Sequence, residues 1–129
     1  MDEHAESILG FGVTNCDLGG CVEMIGRWIE GQERGRYLAC VNPHSMEVAR
    51  KDGGFERALK SADVLIPDGI GIVIGSKMLR GSLSGRVTGS DIFAGVNRAC
   101  DRRGGVRYFF LGSTDETLGK IRTRMAHDF

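Results

Sequence analysis

The chain has 129 residues, a hydrophobic fraction of 41%, a charged fraction of 26% and a formal net charge of zero. This length predicts a single domain over residues 1–129 with a sizeable core, and the neutral balance argues against a nucleic-acid partner. The first residues, MDEHAES, are polar and acidic, the reverse of a secretory signal. No apolar run approaches the roughly 18 residues that a membrane span needs.

The four cysteines are Cys16, Cys21, Cys40 and Cys100. No two of them form a CxxC pair, which argues against a zinc site. Because no export signal precedes them, the sequence favours a cytoplasmic protein whose thiols are reduced.

Strands and helices alternate along the chain. In chain order the pattern predicts a strand at 8–13, a helix capped by Asp17 and ended by Gly31 and Gly35, a strand at 36–42, short helices at 44–52 and 55–62, a strand at 63–67, a helix at 71–81, a helix from about 90 to 103, a strand at 105–112 and a helix from Ser113 or Thr114 towards Met125. This alternation predicts the α/β class, with an open, mostly parallel, Rossmann-like sheet and flanking helices.

Ligands of open α/β sheets bind beyond the carboxyl ends of the strands, so the residues after each predicted strand are the first candidates for a site. They are Thr14-Asn15, Cys40-Val41-Asn42-Pro43, Pro67-Asp68-Gly69 and Gly112-Ser113-Thr114. Each set places a polar or small residue directly after an apolar run, and this coincidence is more informative than any single residue.

Asp68 is a charge inside the apolar run ADVLIPDGIGIVIG, where a carboxylate needs a hydrogen bond or an ionic partner. Two roles are open: an N-cap for the helix that follows, or a general base whose pKa is tuned by an apolar pocket. Asn42 precedes Pro43 and either points into a cleft or forms a turn. His44 is an acid–base candidate, although a surface or capping role is favoured.

Three further positions carry weaker signals. Arg86 suits bidentate binding of a diphosphate, and its alternative is an ordinary surface arginine. Asp91 is predicted to cap the helix that runs through Ile92 and Phe93. Gly112 and Ser113 form either an anion site at the start of a helix or an ordinary capped turn.

The segment DVLIPDGIGIVIGSKMLRGSLSGRVTGSDIF (63–93) resembles the signature of the WecG/TagA/CpsF family of bacterial glycosyltransferases. In that family an apolar strand is followed by Pro-Asp-Gly, and an arginine motif ending in Gly-x-Asp comes later. The resemblance extends upstream through VNPHSMEVARKDGGFERALKSAD and downstream through VRYFFLGST, so it covers nearly the whole chain.

The resemblance implies an inverting, metal-independent transfer of a sugar from a UDP-sugar to a polyprenyl-diphosphate-linked acceptor, in the synthesis of cell-surface polysaccharide, capsule or teichoic acid. It needs no cofactor and takes place at the cytoplasmic face of the cell membrane. By position, Asp68 matches the family's catalytic base, and Asn42, Gly69, Arg86 and Asp91 match substrate-binding positions. The resemblance also implies that Gly112 and Ser113 contact the nucleotide-sugar.

Two positions depart from the family pattern. Cys40, also at a substrate-binding position, stands where threonine is common, and Ser84-Gly85 replaces the usual glutamate before the arginine. Family members continue past Phe129, so a C-terminal part with a peripheral membrane contact is expected beyond it. A homo-oligomer would cover the exposed sheet edge and apolar surface. The alternatives from other classes are an inactive nucleotide-binding or oligomerising remnant of that family and, without the resemblance, a generic nucleotide-binding domain.

Overall fold

The computed structural model describes residues 5–83 and 85–129 and contains both helices and strands, which confirms the α/β class. The elements are β1 (Ala5–Ile8), β2 (Phe11–Thr14), α1 (Leu18–Glu30), β3 (Leu38–Val41), α2 (Pro43–Ala49), α3 (Gly53–Lys60), β4 (Val64–Pro67), α4 (Ile70–Met78), α5 (Gly89–Arg103) and α6 (Asp115–Asp128). Ser84, one of the two departures from the family pattern, lies outside the described residues.

The described strands form two separate pairs. Strands β1 and β2 pair antiparallel, whereas β3 and β4 pair parallel with Leu38 opposite Val64 and Val41 opposite Pro67. The predicted strands at 36–42 and 63–67 are thus confirmed, in shorter form. An open Rossmann-like sheet is not confirmed, because the described part of the chain forms only these two-stranded ladders.

The single strand predicted at 8–13 is wrong. The chain instead folds back at Leu9 and Gly10, whose φ angles of 49° and 84° form a tight turn between β1 and β2. Positive φ at both central residues is what a two-residue hairpin turn of type I′ requires. The glycine inside the apolar run was the available signal for this turn.

The strand predicted at 105–112 is also wrong. This segment joins neither described sheet, and Phe109 and Leu111 are 87% and 91% exposed. The apolar and aromatic composition of VRYFFL favours a strand, but a strand forms only where a neighbouring edge accepts its hydrogen bonds. No described strand pairs with this segment.

Strand β4 is the centre of the core. All four of its residues are buried. Leu65 belongs to a cluster with the hairpin, α2, α3 and α4, whereas Val64 and Ile66 belong to a second cluster against α1 and α5. Because successive side chains of a strand point to opposite faces, β4 is covered on both sides, as parallel strands usually are.

The expectation of reduced thiols is wrong for one pair of cysteines. Cys16 and Cys21 form a disulfide across the start of α1, whereas Cys40 and Cys100 are free. Asp17 caps α1, as predicted, by accepting a hydrogen bond from the Gly20 amide at 2.8 Å. Cys16 directly precedes the cap, and Cys21 lies four residues after it. These are the two positions whose side chains contact each other in a hydrophobic staple.

Glu6 ties the hairpin to the segment after α4. Its Oε2 accepts hydrogen bonds from the amides of Ser82 and Leu83 at 2.6 and 3.1 Å. A hydrogen bond from the Ser76 hydroxyl is the largest cause that lowers the pKa of the Glu6 carboxyl, and the backbone bonds add to it. The carboxylate thus holds β1 against the end of α4.

Replacing this carboxylate should make the free energy of unfolding less dependent on pH. A lowered folded-state pKa stabilises the protein above the ordinary value of 4.5, and this stabilisation is lost as the pH falls through the folded-state pKa. We expect Glu6→Gln to cost about 1–2 kcal/mol at neutral pH and much less in acid, measured by urea unfolding.

The matched control is Glu23→Gln, which removes an exposed carboxylate whose nearest cation, Arg27, lies 3.7 Å away. This control should cost less than about 0.5 kcal/mol at either pH. An equal loss for Glu6→Gln in acid and at neutral pH would contradict the role of the Glu6 charge.

Candidate active site

The parallel pairing of β3 and β4 brings two predicted site segments together. The Asp68 amide donates a hydrogen bond to the Val41 carbonyl at 2.9 Å, directly beyond the last pair of the ladder. A Cβ placed on Gly69 would lie 3.7 Å from the Cβ of Asn42. Asn42 and Asp68-Gly69 are therefore neighbours at one edge of the fold.

Asp68 does not cap the helix that follows it. Gly69 is the N-cap residue of α4, with a φ of 140° that favours glycine, and none of the described side chains accepts a hydrogen bond at this helix start. Within the described residues, the half-buried Asp68 carboxylate makes no hydrogen bond or ion pair. The capping role is thus wrong, and the carboxylate is available for chemistry next to uncapped amides.

Asn42 performs the local role that the sequence left open. The Asn42 side-chain oxygen Oδ1 accepts a hydrogen bond from the Ser45 backbone amide at 2.8 Å. The Asn42 backbone amide in turn donates to the Ser45 hydroxyl at 2.8 Å. This capping box begins α2, and Pro43 occupies the first turn. The Asn-x-x-Ser spacing was a readable signal for it, whereas His44 is an exposed residue of the same turn.

Cys40 lies between Asp68 and the first turn of α5. Burial, and to a smaller extent the negative charge of Asp68, raises the pKa of the Cys40 thiol. A Cβ on Gly89, the first residue of α5, would lie 3.3 Å from the Cys40 sulfur. The start of α5 therefore packs on the strand end, and the thiol stays protonated at neutral pH.

Thr88, and not Asp91, caps α5, so the capping prediction for Asp91 is wrong. The Thr88 hydroxyl oxygen accepts a hydrogen bond from the Asp91 amide at 3.1 Å and donates one to the Asp91 carboxylate at 2.6 Å. A threonine followed three residues later by an acid is a common helix start, and this signal lay in the sequence. These two hydrogen bonds hold the Asp91 carboxylate beside the start of α5.

Arg86 is exposed and lines a shallow cleft of about 340 Å³. Cys16, Asp17, Leu18 and Asp91 line the same cleft. The first turn of α5 connects this cleft with the carboxyl end of β3, because Gly89 lies against Cys40 while Asp91 lines the cleft beside Arg86. The structure thus places Arg86 and Asp91 together, next to the strand-end cluster of Cys40, Asn42, Asp68 and Gly69.

The predicted nucleotide-sugar contacts lie elsewhere on the chain. Gly112 and Ser113 form an exposed turn, with φ angles of 107° and 67°, before Thr114 caps α6. The strand that was to carry them to the sheet is absent from both described ladders, so their role stays a prediction without that support.

Residues 5–83 and 85–129 contain no group of three or more His, Cys, Asp or Glu side chains that could hold a metal ion. Within the same ranges, no helix combines the length and the apolar character needed to cross a membrane.

Comparison with known proteins gives consistent matches. The sequence profile of the glycosyl transferase WecG/TagA/CpsF family matches residues 6–129. An N-acetylglucosaminyldiphosphoundecaprenol N-acetyl-beta-D-mannosaminyltransferase of Bacillus spizizenii is 32% identical over 98 residues, which are 76% of this chain and 38% of that protein. A Bacillus subtilis protein of the same name is 23% identical over 124 residues, or 96% and 48% of the two chains. The chain thus spans less than half the length of these relatives.

The proximity of Asp68 to Cys40 can be tested without a substrate. Because the Asp68 charge contributes to the raised pKa of the Cys40 thiol, Asp68→Asn should increase the thiolate fraction and speed alkylation of Cys40 several-fold. Peptide mass spectrometry after timed iodoacetamide treatment measures this rate. The buried Cys100 is the internal control, and its rate should not change. An unchanged alkylation rate of Cys40 would contradict the proximity, because the Asp68 carboxylate would then be too far away to affect the thiol.

Proposed function

The chain belongs to the WecG/TagA/CpsF family of glycosyl transferases, and on this premise we propose that it acts in sugar transfer from a UDP-sugar to a polyprenyl-diphosphate-linked acceptor. The names of both relatives describe transfer of N-acetylmannosamine to N-acetylglucosaminyldiphosphoundecaprenol. We take the same acceptor class for this chain. The donor, the inversion at the sugar and a place at the inner face of the cell membrane are parts of the proposal.

One observation carries the proposal most directly: Asp68 is a half-buried carboxylate that its own fold does not use. It lies at a strand's carboxyl end, it caps no helix, and it has no ionic partner among the described residues. Partly shielded acids without a structural partner cost free energy, and they are common where a protein needs a base. The match to the family position adds to this physical argument.

In the proposed reaction, Asp68 takes the proton of the acceptor hydroxyl. The hydroxyl oxygen forms a bond to the anomeric carbon as the bond from that carbon to the UDP oxygen breaks. Attack from the side opposite the leaving group inverts the anomeric centre. The leaving diphosphate carries away the electron pair, and the proton remains on the Asp68 carboxyl group until solvent removes it.

The surrounding groups suit the two charged substrates. The uncapped start of α4 offers amide N–H groups and a positive dipole end beside Asp68, which favours a diphosphate. We propose that Asn42, Cys40 and Gly69 shape the acceptor pocket and that Arg86 contacts a diphosphate. Asp91 orients the first turn of α5 through Thr88. Gly112 and Ser113 stay the proposed contacts to the nucleotide-sugar.

The base assignment predicts a large kinetic defect in Asp68→Asn. The amide keeps the size of the side chain but cannot accept the proton, so turnover should fall by about 10²–10⁴-fold with acceptor binding retained. The measurement is UDP release and product formation from UDP-N-acetylmannosamine and a short-chain N-acetylglucosaminyl diphosphate lipid.

Asp115→Asn is the matched control, because Asp115 is an exposed acid in the first turn of α6. Turnover of Asp68→Asn close to that of the unmodified chain would contradict the base assignment. If the unmodified chain binds both substrates and forms no product, transfer is contradicted and a binding module is the better description.

A further inference from the structure

The Cys16–Cys21 disulfide ties a surface segment to the core of the fold. Cys16 is half-buried and lies two residues after the end of β2, whereas Cys21 is fully buried on α1. Cys21 belongs to the apolar cluster that also contains Val87 and Ile92. The bond therefore attaches the segment before α1 to the buried face of that helix.

The same bond borders the cleft that contains Arg86. This cleft is lined by the start of α1 and by residues around the start of α5. Cys16 belongs to the first group, and Arg86 and Asp91 belong to the second. Val87 directly follows Arg86 and shares the apolar cluster with Cys21. Both groups are thus anchored to one cluster, and the first is anchored through the disulfide.

The first turn of α1 contains poor helix-forming residues. Gly19 and Gly20 are its second and third residues, and glycine is the least favourable helix residue after proline. A Cβ on Gly20 would lie 3.3 Å from the Asp17 Oδ1 and 3.6 Å from the Cys16 Cβ, so the close approach of the preceding segment favours glycine there. The turn consequently depends on the Asp17 cap and on the disulfide for its stability.

Breaking the disulfide shifts this turn towards an unwound state. The bond limits the freedom of the unwound segment, and its loss returns that freedom to a turn that already contains two glycines. In the formed turn, Asp17 accepts the hydrogen bond from the Gly20 amide. In the unwound turn this bond is lost, and the Asp17 carboxylate, which lines the same cleft as Arg86, competes with an anionic ligand for the guanidinium group.

We propose that the Cys16–Cys21 pair is a redox switch for diphosphate binding in the Arg86 cleft. The oxidised chain, with its first turn of α1 formed, binds a diphosphate more tightly than the reduced chain. This inference rests on the proposed function, in which Arg86 contacts a diphosphate.

The reductant is a dithiol, and its thiolate attacks the sulfur of Cys16, because Cys16 borders the cleft whereas Cys21 is buried. The bond between the Cys16 and Cys21 sulfurs breaks as a mixed disulfide forms on Cys16. The second thiol of the reductant then displaces Cys16 and closes the reductant to a disulfide. Two electrons and two protons pass to the chain, and both cysteines become thiols.

Isothermal titration calorimetry with inorganic pyrophosphate tests the switch on the oxidised chain and on the chain reduced by dithiothreitol. Reduction should weaken the affinity about fivefold, because only the fraction of chains with a formed first turn binds well. Cys16→Ser should bind like the reduced chain and should not respond to the reductant. The control is Cys100→Ser, which removes a free thiol that does not line this cleft and should keep the fivefold response.

Gly19→Ala tests the first turn separately from the sulfur chemistry. A Cβ on Gly19 would lie 3.6 Å from the Asp17 Oδ1, which is ordinary contact, and alanine favours the helix. Reduction of this variant should therefore weaken pyrophosphate binding only about twofold. Gly26→Ala is the matched control, because Gly26 lies in the same helix beyond its first turn and its Cβ would meet open space. It should keep the fivefold response.

Equal pyrophosphate affinities of the oxidised and reduced chains, or binding by neither, would overturn the proposal. A response of Gly19→Ala equal to that of the parent would also overturn it. Retained affinity in Arg86→Gln would do the same, because the anion would then bind elsewhere. Turnover with a soluble short-chain acceptor is a separate readout of the proposed function. Turnover with equal affinities removes the switch alone, whereas a redox response without turnover removes the transfer alone.

Discussion

The parallel pairing of β3 with β4 is the constraint on which the rest of the structure depends. Strand β4 is buried along its whole length, with Leu65 in one apolar cluster and Val64 and Ile66 in the other. A one-residue slip would exchange these faces, so the register is strongly determined. The register in turn fixes Asp68 beside Val41 and Asn42 at the carboxyl edge.

From this edge the local chemistry follows. Both strands lead directly into helices, and the two helix starts differ: Asn42 caps α2 with its side chain, whereas Gly69 leaves the start of α4 without a side-chain cap. The uncapped start lies next to the Asp68 carboxylate, which has no hydrogen-bond or ionic partner in the part of the chain that the structure describes. A carboxylate beside uncapped amide groups is the arrangement on which the proposed attack of a hydroxyl on a sugar diphosphate depends.

Much of the local structure could be predicted from the sequence. The runs at β3 and β4, the capping Asp17 and the helices α2 to α5 follow from apolar periodicity and capping residues, and the position of Asp68 follows from them. The failures have two causes. The segment 105–112 has strand composition but pairs with no described strand, and pairing depends on residues distant in the chain. The Cys16–Cys21 bond and the Thr88 cap are local, but they depend on side-chain geometry at the starts of α1 and α5 that composition alone does not determine.

The most direct test of the central claim is a nuclear magnetic resonance titration of the isotopically labelled chain with a water-soluble, short-chain N-acetylglucosaminyl diphosphate lipid. If the acceptor binds at the carboxyl ends of β3 and β4, the largest amide shifts will be at Asn42, Gly69 and Gly89, which the structure brings together. Saturable shifts elsewhere, with these three amides unchanged, would contradict the account.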